Sequence, residues 1–212
     1  MKITAITATF ERPAAMELCR KYMARQTRQP DQWIILDGPE PMIEKLLACI
    51  EGGQVEGDAI VFMEDDDRYA DDWIEWCEKL LTRYELVGEG MAIYYNVRKR
   101  WWSACANHSH ASLCQTAIRR ELFGTLCNVI RAHNNPWIDT QLWKIECDKI
   151  LVCPKTPAER RLIGIKGMPG KAGYSREHHK FDPRGCTRDP SLRKLFELIG
   201  PDASAYQSYY QK

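Results

Sequence analysis

Apolar residues come in short bursts along the first ninety positions, and the spacing inside the bursts is of two kinds. Residues 2–8, 32–36 and 59–63 are nearly continuous apolar or β-branched runs of strand length. Residues 14–25, 41–50 and 71–86 carry apolar side chains at helical spacing, with Met16, Leu18, Cys19, Tyr22 and Met23 in the first and Trp73, Trp76, Cys77, Leu80 and Leu81 in the third. Pro13 suits a first helical turn, where its missing N–H costs nothing. Gly52, Gly53 and Gly57 break the second helix from the third strand. Strand and helix alternating three times predicts an α/β fold, a mostly parallel sheet flanked by helices.

Beyond residue 90 the pattern loosens. Residues 91–97 (MAIYYNV), 112–116 and 149–152 predict strands, and 119–131, 137–145 and 190–199 predict helices. The stretch IGIKGMPGKAGYSREHHKFDP is dense in Gly and Pro and reads as a functional loop. The closing SAYQSYYQK reads as a tail. The 212 residues fit one domain, with 1–97 as one half and an irregular 98–212 as the other.

Composition narrows the class. Hydrophobic content of 44% and charged content of 28% are those of an ordinary globular chain. No apolar run approaches the ~20 residues of a membrane span, and MKITAITATFERP lacks the apolar core of a signal peptide. The nine cysteines include no C-x-x-C, so they read as small buried thiols in a reducing cytoplasm.

Charge changes the picture more. The net +1 hides a split: residues 1–90 hold 10 basic and 19 acidic side chains, residues 91–212 hold 20 and 10. The basic half also carries Trp101, Trp102, Trp137, Trp143, Tyr206, Tyr209 and Tyr210. Cations interleaved with aromatics fit a polyanion with stackable bases, and equally a solvated basic surface over core tryptophans.

Ligands of parallel sheets bind beyond the carboxyl ends of the strands. Thr9, Asp37 and the run Glu64, Asp65, Asp66, Asp67 all stand at such ends. Four adjacent acids repel one another unless they face water or a cation, and hard oxygen ligands suit Mg²⁺ or Mn²⁺. A solvated turn is the alternative. Asp71 and Asp72 read as a helix start, where acids favour the positive end of the dipole.

The segments ATFERP, QPDQWIILDG and VFMEDDDRYADDW, in that order and spacing, resemble the family-two glycosyltransferases of GT-A fold over residues 1–90. The resemblance implies a Rossmann-like GT-A domain that moves a sugar, with inversion and with Mn²⁺ or Mg²⁺, from a nucleotide sugar such as a UDP-sugar to an acceptor hydroxyl. It implies that Thr9 and Arg12 line the nucleotide site and that Asp37 accepts a hydrogen bond from the base. Asp65 then lies near the ribose and diphosphate, Asp66 is the principal metal ligand, and Asp67 is within reach of the metal. Glu64 stands where the family often has aspartate.

An inverting transferase needs a general base, and NPWIDTQLW offers Asp139, with a helix cap as its other reading. The Gly-rich stretch does not match a phosphate-binding loop, yet Lys166 and Lys171 could neutralise a departing diphosphate. The resemblance adds a C-terminal histidine to the metal, His178 in preference to His179. His108 and His110 read as a polar acceptor-side loop.

The KGMPG segment, the nearby histidine and LIGPDA also resemble transferases of bacteriophages, some of which glycosylate hydroxymethylated pyrimidines in DNA. Together with the charge split, this makes hydroxymethylcytosine in DNA the expected acceptor. Arg98, Arg100, Trp101 and Trp102 are then the DNA contacts, and the base must be flipped out or reached in the groove. A polysaccharide, lipid or protein acceptor is the nearest alternative. A metal-dependent nuclease or nucleotidyltransferase and a non-catalytic nucleic-acid-binding protein are the others.

Overall fold

Side chains of β3 (Ala59–Phe62) point alternately into two different cores, Ala59 and Val61 into one and Ile60 and Phe62 into the other. The same period of two separates Ile3 and Ala5 from Ile6 in β1 (Ile3–Thr9). A strand that is apolar at every position must be covered on both faces, and helices supply the cover. The computed structural model describes residues 1–133, 137–170 and 185–209.

The larger sheet has the order β2-β1-β3-β8-β5-β9, with β2 Gln32–Asp37, β5 Leu86–Glu89, β8 Thr116–Arg119 and β9 Lys149–Val152. β1 is parallel to both β2 and β3, and β5 is parallel to β9. β8 runs antiparallel between β3 and β5. The fold is therefore a mixed α/β fold on a mostly parallel sheet.

On one face pack α2 (Met42–Glu51), α4 (Phe123–His133) and α5 (Ile138–Leu142), through Leu46, Leu126, Ile130 and Leu142. On the other packs α3 (Trp73–Leu81), through Trp73, Cys77 and Leu81. Complete burial of side chains such as Leu46, Ile60 and Ile118 contributes roughly 1.5–3 kcal/mol each.

A second sheet, in the order β11-β7-β6-β10-β4, joins Arg68–Tyr69 (β4), Ile93–Asn96 (β6), Trp101–Ala104 (β7), Leu162–Lys166 (β10) and Thr187–Arg188 (β11). Its core brings together α1 (Pro13–Ala24), α6 (Arg193–Ile199) and the 3-10 turns of Gly200–Tyr209. Among the described residues no helix is long and apolar enough to cross a membrane.

Five expectations need correction. The third helix does not run to residue 86: it ends at Leu81, and Leu86–Glu89 is a fully buried strand. Leu86 continues the helical stripe by coincidence of spacing. Gly88, a poor helix residue, is needed because a Cβ there would come within 2.5 Å of the Trp143 ring.

The segment IGIK is a buried strand rather than the start of a loop. Gly164 lies against the Tyr94 ring, with no room for a Cβ, so its glycine signals close packing inside a strand. Within residues 112–116 only Leu113–Gln115 form a 3-10 turn, and the strand begins at Thr116 and runs to Arg119; the helix placed at 119–131 accordingly starts at Phe123.

The segment read as a tail is docked through residue 209. Tyr206 is fully buried with its hydroxyl 2.8 Å from that of Tyr22, and Asp202 accepts from Arg25 at 2.7 and 2.8 Å.

Candidate functional site

The parallel register sets the site. Thr9 and Asp37 are partners at the ends of β1 and β2. β3, on the other side of β1, ends at Phe62 beside Ile6, so the acids that follow it leave the sheet at the same end. Thr9 Oγ1 donates to Asp65 Oδ2 at 2.8 Å. Glu11 then takes a left-handed turn (φ 48°) and α1 begins at Pro13. Between them Arg12 reaches across, Nη1 to Asp65 Oδ1 and Nη2 to Asp66 Oδ2, both at 2.7 Å. Gly170, at φ +115°, packs on this turn, where a Cβ would sit 2.5 Å from the Glu11 carbonyl oxygen.

A second cation enters from β10. Lys166 Nζ lies 3.0 Å from Asp67 Oδ1, 3.5 Å from Asp66 Oδ1 and 3.6 Å from Glu64 Oε2. Asp67 Oδ1 also accepts from the Ile165 backbone N–H at 3.0 Å. Two protein cations thus face four carboxylates, and water is largely excluded, since Asp65, Asp66, Asp67 and Lys166 are all buried.

The electrostatics follow from that crowding. Burial pushes the Asp65 carboxyl up to about 7, with Asp66 adding to the rise and Arg12 opposing it. Burial pushes Asp67 up to about 8 against the pull of Lys166. Arg12 and Lys166 lose some proton affinity to burial, but the acids more than restore it and both stay charged.

The residues present fit a divalent cation. Asp67 is fully buried, and its Oδ2 has no hydrogen-bond partner among the described residues. Glu64, Asp67 and Cys114 each offer a donor atom within 4.8 Å of the others. Asp66, expected from the sequence as the principal ligand, bonds Arg12 through one oxygen and Lys166 through the other. His178 and Lys171 lie outside the described residues.

Asp37 is exposed at the rim. Beneath it Lys45 Nζ donates to the carbonyls of Thr9 (3.1 Å), Leu36 (2.9 Å) and Gly38 (2.9 Å), tying the ends of β1 and β2 together.

Asp139 is buried in the first turn of α5, where its Oδ1 accepts from the Thr140 N–H at 2.8 Å. Burial raises its pKa, and the hydrogen bond from the Thr140 N–H opposes the rise. One turn later Trp143 Nε1 donates to Thr116 Oγ1 at 3.2 Å, which ties this helix to the strand that follows Cys114.

Trp101 and Trp102 are half-buried, with Lys99 5.1 Å from the first ring centroid and Lys194 4.7 Å from the second. Arg98 is exposed, and Arg100 donates to the Pro190 carbonyl at 3.1 Å. These four residues therefore form a basic, aromatic edge on β7 and the turn before it.

No protein-family model matches the chain, and no curated protein matches it. Among solved structures it is similar to A197 from STIV, at 14% identity and TM-score 0.43 over 72% of this chain and 82% of that one. It is similar to a 1–349 fragment of S. aureus TarS in complex with UDP-GlcNAc, at 10% identity and TM-score 0.48 over 93% and 64%. A third is glucosyl-3-phosphoglycerate synthase from Mycobacterium tuberculosis in complex with Mn²⁺, UDP and glucosyl-3-phosphoglycerate, at 11% identity and TM-score 0.45 over 94% and 80%. The chain spans only 37% of a longer TarS chain. At these values the likeness concerns the path of the chain and not the chemistry of any residue.

Three residues that support the site carry no legible signal in the sequence. Lys45 looks like any exposed helix lysine, and its three carbonyl partners belong to strand ends brought together only by the fold. Cys114 is one of nine scattered thiols. Tyr69 sits inside the core, accepting from the Glu64 N–H at 2.8 Å and donating to the Cys114 carbonyl at 3.3 Å.

Proposed function

We propose that the chain is a GT-A glycosyltransferase that moves a sugar from a nucleotide sugar, in the first instance a UDP-sugar, to an acceptor hydroxyl. One observation carries the reading: Thr9, Asp37 and the four acids all stand at the carboxyl ends of three adjacent parallel strands, with Thr9 bonded to Asp65. Asp37 accepts a hydrogen bond from the base, and Thr9 with Asp65 borders the ribose. Glu64, Asp66 and Asp67 are the acids that would hold Mn²⁺ or Mg²⁺, which supplies positive charge to the diphosphate when bound.

Asp139 takes the proton of the acceptor hydroxyl. The acceptor oxygen attacks the anomeric carbon, the bond from that carbon to the diphosphate breaks, and its electron pair leaves on the diphosphate oxygen. Attack opposite the leaving group inverts the anomeric centre. The upward shift of Asp139 supports the role, because a buried carboxylate is a stronger base than an exposed one.

The acceptor we propose is hydroxymethylcytosine in DNA. The basic excess of residues 91–212 and the Arg98, Arg100, Trp101, Trp102 edge support it. Calorimetric titration of UDP with Mn²⁺ present tests the donor half: the wild type should bind, and Asp37→Ala should weaken binding about tenfold or more. Equal binding by the two proteins would contradict the role of Asp37.

A further inference from the structure

Lys166 occupies an unusual position for a lysine. It is the last residue of an entirely buried strand, it is 3% exposed, and its ammonium lies within 3.0–3.6 Å of Asp67, Asp66 and Glu64. Tyr94 backs it, with the ring centroid 5.7 Å from Nζ. Glu64 and Asp67 are also among the grouped donors for a divalent cation, and Asp66 is the ligand proposed beside them. Two cations cannot share one set of carboxylate oxygens at this range without strong repulsion.

We propose that Lys166 is an exchangeable counterion: its ammonium neutralises the acids while no metal is bound, and it passes to the donor diphosphate when a divalent cation takes the acids. The diphosphate half of this exchange rests on the function proposed above; the metal half does not.

Two features support exchange over a fixed ion pair. Asp67 Oδ2 is buried and without a hydrogen-bond partner among the described residues, so the ammonium satisfies the cluster incompletely. The lysine stem is flexible, with a compact head that can re-aim without moving the strand. Arg12 differs. Its guanidinium bridges Asp65 and Asp66 with two separate nitrogens, a geometry suited to staying in place.

The test is Mn²⁺ binding without nucleotide, followed by the electron paramagnetic resonance signal of free Mn²⁺. Lys166→Met removes the competing charge and should bind Mn²⁺ about tenfold more tightly than the wild type. Lys166→Arg keeps the charge in a head that holds carboxylates more firmly and should bind Mn²⁺ more weakly. With Mn²⁺ saturating, Lys166→Met should bind UDP about tenfold more weakly, having lost the diphosphate's partner.

Cooperative melting of each variant is the control for folding. If Lys166→Met does not fold, Lys166→Arg decides alone, and unchanged or tighter Mn²⁺ binding by it overturns the proposal. Unchanged or weaker Mn²⁺ binding by a folded Lys166→Met also overturns it. Absence of UDP binding by the wild type would sink the donor reading and leave the Mn²⁺ result standing.

Discussion

Arg12 holds Asp65 and Asp66 at once, one guanidinium nitrogen on each carboxylate at 2.7 Å, with only 10% of its side chain exposed. The contact ties the start of α1 to the acids after β3. Removing one partner of a buried pair leaves the other charges uncompensated, at a cost of about 3–5 kcal/mol. Arg12→Ala should therefore lower the urea midpoint substantially, and Arg12→Lys should recover only part of the loss because one ammonium does not reproduce the two-pronged contact. Full recovery by lysine would show that charge alone matters there.

Stability should fall as pH rises toward 8 when no metal is present. Burial pushes Glu89 from 4.5 up to about 7, while the backbone N–H groups of Arg161 and Leu162 pull it down. A carboxyl raised in the folded state contributes fully below its unfolded value, and that contribution is lost as pH climbs through the folded value. Asp65, at about 7, and Asp67, at about 8, have the same sign. Urea unfolding at pH 5 and pH 8 measures the slope. Glu89→Gln should remove about 3 kcal/mol of it. Mn²⁺ binding, which needs ionised carboxylates, should tighten over the same range.

Asp139→Asn preserves size and removes the base. The proposed chemistry expects kcat to fall by roughly 10²–10⁴ with KM for the nucleotide sugar little changed. Steady-state kinetics against both substrates checks the split, and a rise in donor KM with kcat intact would point to a binding role.

The C-terminal segment is load on the second core rather than an appendage. Tyr206→Ala removes a fully buried ring and its bond to Tyr22 and should cost about 3–5 kcal/mol. Tyr206→Phe should cost about 1 kcal/mol through the Tyr22 hydroxyl left without its partner. Thermal melts of the two variants separate packing from the hydrogen bond.

The first half of the fold was legible because its signals are local. Continuous apolar strands, helical stripes and Pro13 place β1, α1, β2, α2 and β3 within a residue or two. The second half was less so because glycine had opposite meanings in similar settings. Gly164 and Gly88 mark close packing inside strands, whereas Gly167 and Gly170 occupy positive φ in a turn. At the site, the acids, Thr9 and Asp37 announce themselves by standing at strand ends. The ammonium among those acids comes from a strand a hundred residues later, and only the fold brings Lys166 there.

Sugar transfer itself is the most direct test. The protein would be incubated with Mn²⁺, a panel of nucleotide sugars, and DNA with or without hydroxymethylcytosine, and the digested nucleosides weighed by mass spectrometry. The expected result is one sugar added to hydroxymethylcytosine, dependent on a nucleotide sugar and lost in Asp139→Asn. Unmodified hydroxymethylcytosine would contradict the acceptor. Nucleotide sugars left intact as well, together with DNA cleaved by the same acids, would contradict the transferase assignment.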